Sequence, residues 1–118
     1  MTALPVAVAL AIAPSFVFGR EGGNIVPLRA QIYPGGRVVV NGHPGHRLTR
    51  ANVIALQRYA AAQRFSLVPR RINCPGTLPD VATRYVKVGA ARTAFVRGAC
   101  NRRFERVYAA LRKATGVS

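Results

Sequence analysis

The sequence predicts an α+β domain. Two β-hairpin–helix units should form a four-stranded antiparallel sheet with both helices on one face. Three observations lead there: two extended segments folded at glycine-rich turns, an amphipathic helix pattern after each, and a faint echo between the halves. Tyr33-Pro-Gly-Gly-Arg-Val-Val-Val-Asn-Gly is matched by Val88-Gly-Ala-Ala-Arg-Thr-Ala-Phe-Val-Arg-Gly. Runs of strand followed by helix, with no long crossover, favour a segregated α+β arrangement.

The first unit opens with Ile25–Tyr33, extended and carrying Pro27, which disfavours an interior ladder position. Pro34-Gly35-Gly36 supplies a turn, and Arg37–Asn41 returns as a strand. After the loop Gly42-His43-Pro44-Gly45-His46, Leu48-Thr49 gives a staple residue and a hydroxyl cap for the first helix. Val53, Leu56, Ala60 and Gln63 make its stripe. Residues 69–80 are a loop rich in breakers, with Pro69, Cys74-Pro75-Gly76 and Pro79. In the second unit, Ala82–Val88 and Arg92–Arg97 form a hairpin. Phe104, Val107, Tyr108, Leu111 and Ala114 or Thr115 then fall on one helical face, with Gly116 as the stop.

The N-terminal 19 residues read as a signal peptide. An apolar run, Leu4–Ala13, precedes a polar break at Pro14-Ser15 and small residues at Val17 and Gly19, which puts the cut after Gly19. The run is short for a membrane span, and the n-region has no Lys or Arg. A misassigned start or a buried N-terminal helix are the competing readings. On the leader reading, residues 20–118 form one small domain, secreted or periplasmic.

Cys74 and Cys100 flank the second hairpin. A bond between them would close a loop of about 27 residues and stabilise the fold by roughly 3–4 kcal/mol in the chain-entropy model. Such a cross-link matters most in a short chain, which has little core to spare. Two buried thiols, or a redox pair with Cys100 activated by Arg102 and Arg103, are the alternatives.

Eighteen Lys and Arg oppose three acids, for a net charge of +15, and sixteen of the eighteen are Arg. A GC-rich coding sequence would enrich Arg with Ala, Gly, Val and Pro. The scarcity of Asp and Glu nevertheless leaves a positive field that favours anionic partners in a salt-dependent way. Arg70, Arg71, Arg97, Arg102, Arg103 and Arg106 are the candidate anion contacts.

Catalysis has few candidates. His43 and His46 could hold a metal only with a third ligand, which their neighbourhood does not supply. Glu21, Asp80 and Glu105 are the only acids, and nothing in the spacing pairs them with a histidine. No phosphate-cradling loop, nucleophile elbow, zinc-protease helix or nucleic-acid signature is present. The expectation is a non-enzyme with no cofactor and no metal.

The Gly-centred first hairpin, Leu48-Thr49, Phe65…Leu67-Val68-Pro69, Pro79-Asp80 before Tyr85, and Gly98-Ala99-Cys100 before Phe104 and Leu111 resemble a loose group of small secreted bacterial domains of unassigned function. The helix-plus-sheet pattern is also similar to inhibitor modules of the β-lactamase-inhibitor type. That resemblance implies a concave sheet that binds another protein, although the high basicity here departs from it. The expected function is an exported, non-catalytic domain that engages a protein surface. The alternative is a basic module for an anionic polymer or envelope surface: nucleic acid, acidic glycan or anionic lipid.

Overall fold

The computed structural model describes residues 12–117. In chain order the elements are β1 (Phe16–Glu21), β2 (Leu28–Ile32), β3 (Val38–Val40), β4 (His43–Pro44), α1 (Arg50–Ala62), a 3₁₀ turn (Phe65–Leu67), β5 (Arg71–Asn73), β6 (Thr83–Val88), β7 (Ala94–Arg97) and α2 (Arg102–Thr115). The fold is α+β with two helices, but the four-stranded antiparallel sheet is overturned. Among the described residues, one seven-stranded mixed sheet runs in the order β4-β3-β2-β1-β6-β7-β5, with β5 parallel to β7.

The correction has three sources. The first is β1, whose first four residues, Phe16–Gly19, fall in the expected leader and whose last two, Arg20 and Glu21, fall in the expected flexible entry to the domain. It lies at the centre of the sheet, antiparallel to β2 on one side and β6 on the other. Its sequence, Phe16-Val17-Phe18-Gly19-Arg20-Glu21, suits that place. Phe16 and Phe18 point into the core with no exposure, and Val17 is buried on the opposite face. Apolar residues on both faces mark a central strand. Ser15 begins the pairing, donating to the Ile32 carbonyl and accepting from the Gly89 amide.

The expected cut after Gly19 therefore falls inside β1. A chain starting at Arg20 would lack Phe16 and Phe18 and most of the ladder that joins the hairpins. Residues 1–11 of the expected leader lie outside the described residues.

The second source is β5, three residues within the breaker-rich loop. It pairs Arg71, Ile72 and Asn73 with Phe95, Val96 and Arg97. Strand β5 sits at the sheet edge, so Pro69 and Pro75 nearby interrupt no second ladder. The third source is β4, whose His43 and Pro44 pair with Val40 and Val39 at the other sheet edge, inside the segment expected to be a loop.

The hairpins and helices occupy the predicted segments. Tyr33 and Arg37 close the β2–β3 turn, where Gly36 has a φ of 103° and its Cα faces the Leu48 carbonyl, leaving no room for a Cβ. The Thr49 hydroxyl caps α1 by accepting from the Asn52 amide at 3.0 Å, and the Asn52 side chain reaches back to Thr49. Helix α2 is capped by Asn101, which accepts from the Phe104 amide at 2.9 Å, and ends at Gly116 in the left-handed conformation.

Val53 and Ala60 of α1, Phe65 of the 3₁₀ turn, and Phe104, Val107, Tyr108 and Leu111 of α2 form one core with Phe16, Phe18, Ala30, Ile32, Val86 and Val96 of the sheet. The helices thus share one face, and among the described residues no helix lies over the other. The disulfide Cys74–Cys100 ties the end of β5 to the residue before the α2 cap.

Candidate interaction surfaces

Residues paired across the strands project to the same side. The core side takes Phe16, Phe18, Ile32, Ala30, Val86 and Val88. The alternate positions therefore form the uncovered face, and one cross-strand row there runs Arg29, Gly19, Tyr85, Phe95 and Arg71, spanning β2, β1, β6, β7 and β5.

Gly19 lets Tyr85 close against the β1 backbone. A Cβ at this position would run into the Leu28 carbonyl and approach the Tyr85 hydroxyl at 2.7 Å. Without one, Tyr85 lies over the β1 backbone, and its hydroxyl donates to the Leu28 carbonyl at 3.0 Å. Burial pushes the Tyr85 phenol above its ordinary range, while the Arg29 guanidinium pulls it back. The Tyr85 and Phe95 ring centres are 6.0 Å apart, and the Arg71 guanidinium stacks 4.8 Å from the Phe95 centre. A shallow depression of about 440 Å³ on this face is bounded by Pro14, Val17, Glu21, Arg29, Lys87 and Phe95, among others.

The six predicted anion contacts do not form one patch. Arg71 belongs to the uncovered face. Arg70, its neighbour in the chain, lines a pocket at the end of α1. Arg97 is engaged within the fold: its guanidinium donates to the Leu78 carbonyl at 2.9 Å, to the Pro79 carbonyl at 3.3 Å and to the Asn73 side chain at 3.4 Å. Arg102, Arg103 and Arg106 do come together, at the start of α2. They line a cleft of about 400 Å³ with Arg64, which follows α1, and Arg106 donates to the Gln63 side chain at 3.4 Å.

The remaining chemistry-bearing residues are dispersed. His43 lies in β4 and His46 in the loop after it, both exposed. Among the described residues, no three His, Cys, Asp or Glu side chains are grouped to hold a metal ion. Glu105 is held by Arg84 through two contacts, at 2.6 and 2.7 Å. Glu21 and Asp80 are exposed. Both cysteines are in the disulfide.

Sequence reasoning missed Arg29, Tyr85 and Phe95 as a unit, because most of the strand that aligns them was assigned to the leader. The usable signal was the Phe-x-Phe alternation at residues 16–18. Arg64 carried no sequence signal of its own. No helix among the described residues is long and apolar enough to cross a membrane. No family description, curated protein or solved structure matches this chain.

Proposed function

We propose that this is an exported, non-catalytic binding domain that engages a protein surface through the uncovered face of its sheet. One observation carries the reading: the cross-strand row Arg29–Gly19–Tyr85–Phe95–Arg71, on the side of the sheet away from both helices. Its composition suits a protein partner. Aromatic residues and Arg are enriched in the centres of protein interfaces, with mixed charge toward the rim. Here Tyr85 and Phe95 are flanked by Arg29, Arg71 and Lys87, and Glu21 stands at the edge. A polyanion site would gain from uniform positive charge instead. The disulfide supports an oxidising destination. An export leader that leaves β1 whole ends before Ser15, where the sheet pairing starts.

Binding to the producing cell's envelope and medium proteins tests this. Phe95→Asp with Arg29→Glu should abolish capture at physiological salt, and Arg102→Glu with Arg103→Glu should leave it intact. The opposite ranking would refute the reading.

A second reading has its own observation. The arginine cleft at the α1–α2 junction, with Arg64, Arg102, Arg103 and Arg106, would suit an anionic polymer. Retention on heparin that the Arg102 and Arg103 variants lose, and that moderate salt removes, would favour it.

A further inference from the structure

A pocket of about 570 Å³ opens where the end of α1 and the 3₁₀ turn meet the β6–β7 turn. Its volume lies in the range of small-molecule sites. The floor is apolar: Ala60, Phe65, Val68 and Ala94 line it, and all four are buried. Three arginines, Arg64, Arg70 and Arg92, stand around it, and all are exposed. Among the described residues no carboxylate lines the pocket to balance them, since Glu21, Asp80 and Glu105 lie elsewhere. The pocket therefore joins an apolar floor to a concentrated positive rim.

Arg64 is held there at a cost. It follows the α1 cap residue Gln63 and adopts a left-handed conformation, φ 52° and ψ 51°. Glycine is the usual residue at that position, and any side chain there is strained. The turn it makes directs Phe65 into the floor and leaves Arg64 at the rim.

We propose that this pocket binds a single-chain anionic amphiphile. Its carboxylate or phosphate headgroup sits among Arg64, Arg70 and Arg92, and its apolar chain lies over Ala60, Phe65, Val68 and Ala94. Charge complementarity selects this class. A neutral hydrocarbon would leave the arginines without a partner, and a bare anion would leave the floor wet. Arginine suits both headgroups because its planar fork matches paired oxygens. The pocket lies on the helix-bearing side of the sheet, where Val88 and Ala94 point inward. The proposal is therefore independent of the protein-binding face, and either can fail alone.

The test is a titration of the isotope-labelled protein, below micelle-forming concentrations, followed by amide chemical shifts. The probes are dodecanoate, dodecyl phosphate, dodecanol and acetate. Dodecanoate and dodecyl phosphate should shift residues 57–70 and 88–94, and whichever binds more tightly identifies the headgroup source. Dodecanol should bind at least about tenfold more weakly, and acetate should leave the pocket unshifted.

Arg70→Ala with Arg92→Ala should weaken dodecanoate binding by about tenfold or more, whereas Arg102→Ala with Arg103→Ala should not. Arg64→Gly should weaken binding and raise Tm, because it removes a headgroup contact and the backbone strain together. Equal binding of dodecanol and dodecanoate would overturn the proposal. So would shifts centred elsewhere, no binding by either anionic probe, or an equal loss in the Arg102/Arg103 variant.

Discussion

Arg84 and Glu105 form a two-pronged ion pair between the central region of the sheet and the first turn of α2, with N–O distances of 2.6 and 2.7 Å. The same guanidinium donates to the Gly98 carbonyl at 2.6 Å and lies 5.1 Å from the Tyr108 ring centre and 5.4 Å from that of Phe104. One side chain thus fixes the approach of α2 to β6 while sitting close to the junction that the disulfide closes. The two side chains are 22% and 32% exposed, which limits the pair's strength but keeps it above a free surface pair.

Glu105→Gln should therefore destabilise the domain by about 1–2 kcal/mol, since Arg84 keeps its charge and loses a charged acceptor. Denaturant unfolding at low salt measures it. A change no larger than that of an exposed Arg→Gln control would show that the pair contributes little.

The N-terminal boundary gives a sharper prediction. A chain of residues 15–118 should fold, and a chain of residues 20–118 should not. The second lacks Phe16 and Phe18, which are fully buried, and the strand between β2 and β6. Losing one buried Phe costs about 3–5 kcal/mol, comparable to much of a small domain's stability. Dispersed amide proton shifts from the 20–118 chain would contradict the central position of β1.

Gly98 leaves the room that Cys74 of the disulfide occupies. With φ at 87°, it is open to glycine and unfavourable to others, and a Cβ there would lie 2.7 Å from the Cys74 Cβ. Gly98→Ala should lower stability, and replacing both cysteines by Ser should cost roughly 3–4 kcal/mol. Thermal unfolding with and without reductant measures both. The reductant should lower Tm of the parent and leave the double-Ser variant unchanged.

Tyr85 predicts an alkaline limit. Its folded pKa is raised above the ordinary value of 10.0 by burial. The stability it contributes is then fully present below pH 10 and is lost as pH rises through the folded pKa. Tyr85→Phe should remove this loss above about pH 10, while giving up the hydrogen bond to Leu28 at all lower pH. An unchanged alkaline limb in the variant would assign the loss to other groups.

The sequence made the hairpins and helices readable because their signals are local. Pro34-Gly35-Gly36 turns, Thr49 and Asn101 cap, and Phe104, Val107, Tyr108 and Leu111 repeat at helical spacing. The sheet was not readable, because its order depends on partners far apart in the chain. Phe16-Val17-Phe18-Gly19 has the small-residue pattern of a cleavage region and the alternation of a strand, and only its pairing with β2 and β6 separates them. Strand β5 is three residues long and gains its register from β7, more than twenty residues later. The arginines were legible as charge but not as places. Adjacent Arg70 and Arg71 serve different surfaces, and Arg97 is held by loop carbonyls.

Photo-crosslinking from position 95 tests the central claim most directly. A photoreactive phenylalanine analogue at Phe95, irradiated with the producing cell's envelope and medium at physiological salt, should give a discrete protein adduct that excess unlabelled domain competes away. The same group at Arg103 should not give that adduct. No adduct from position 95, or an equal one from position 103, would contradict the assignment of the uncovered sheet face as the binding surface.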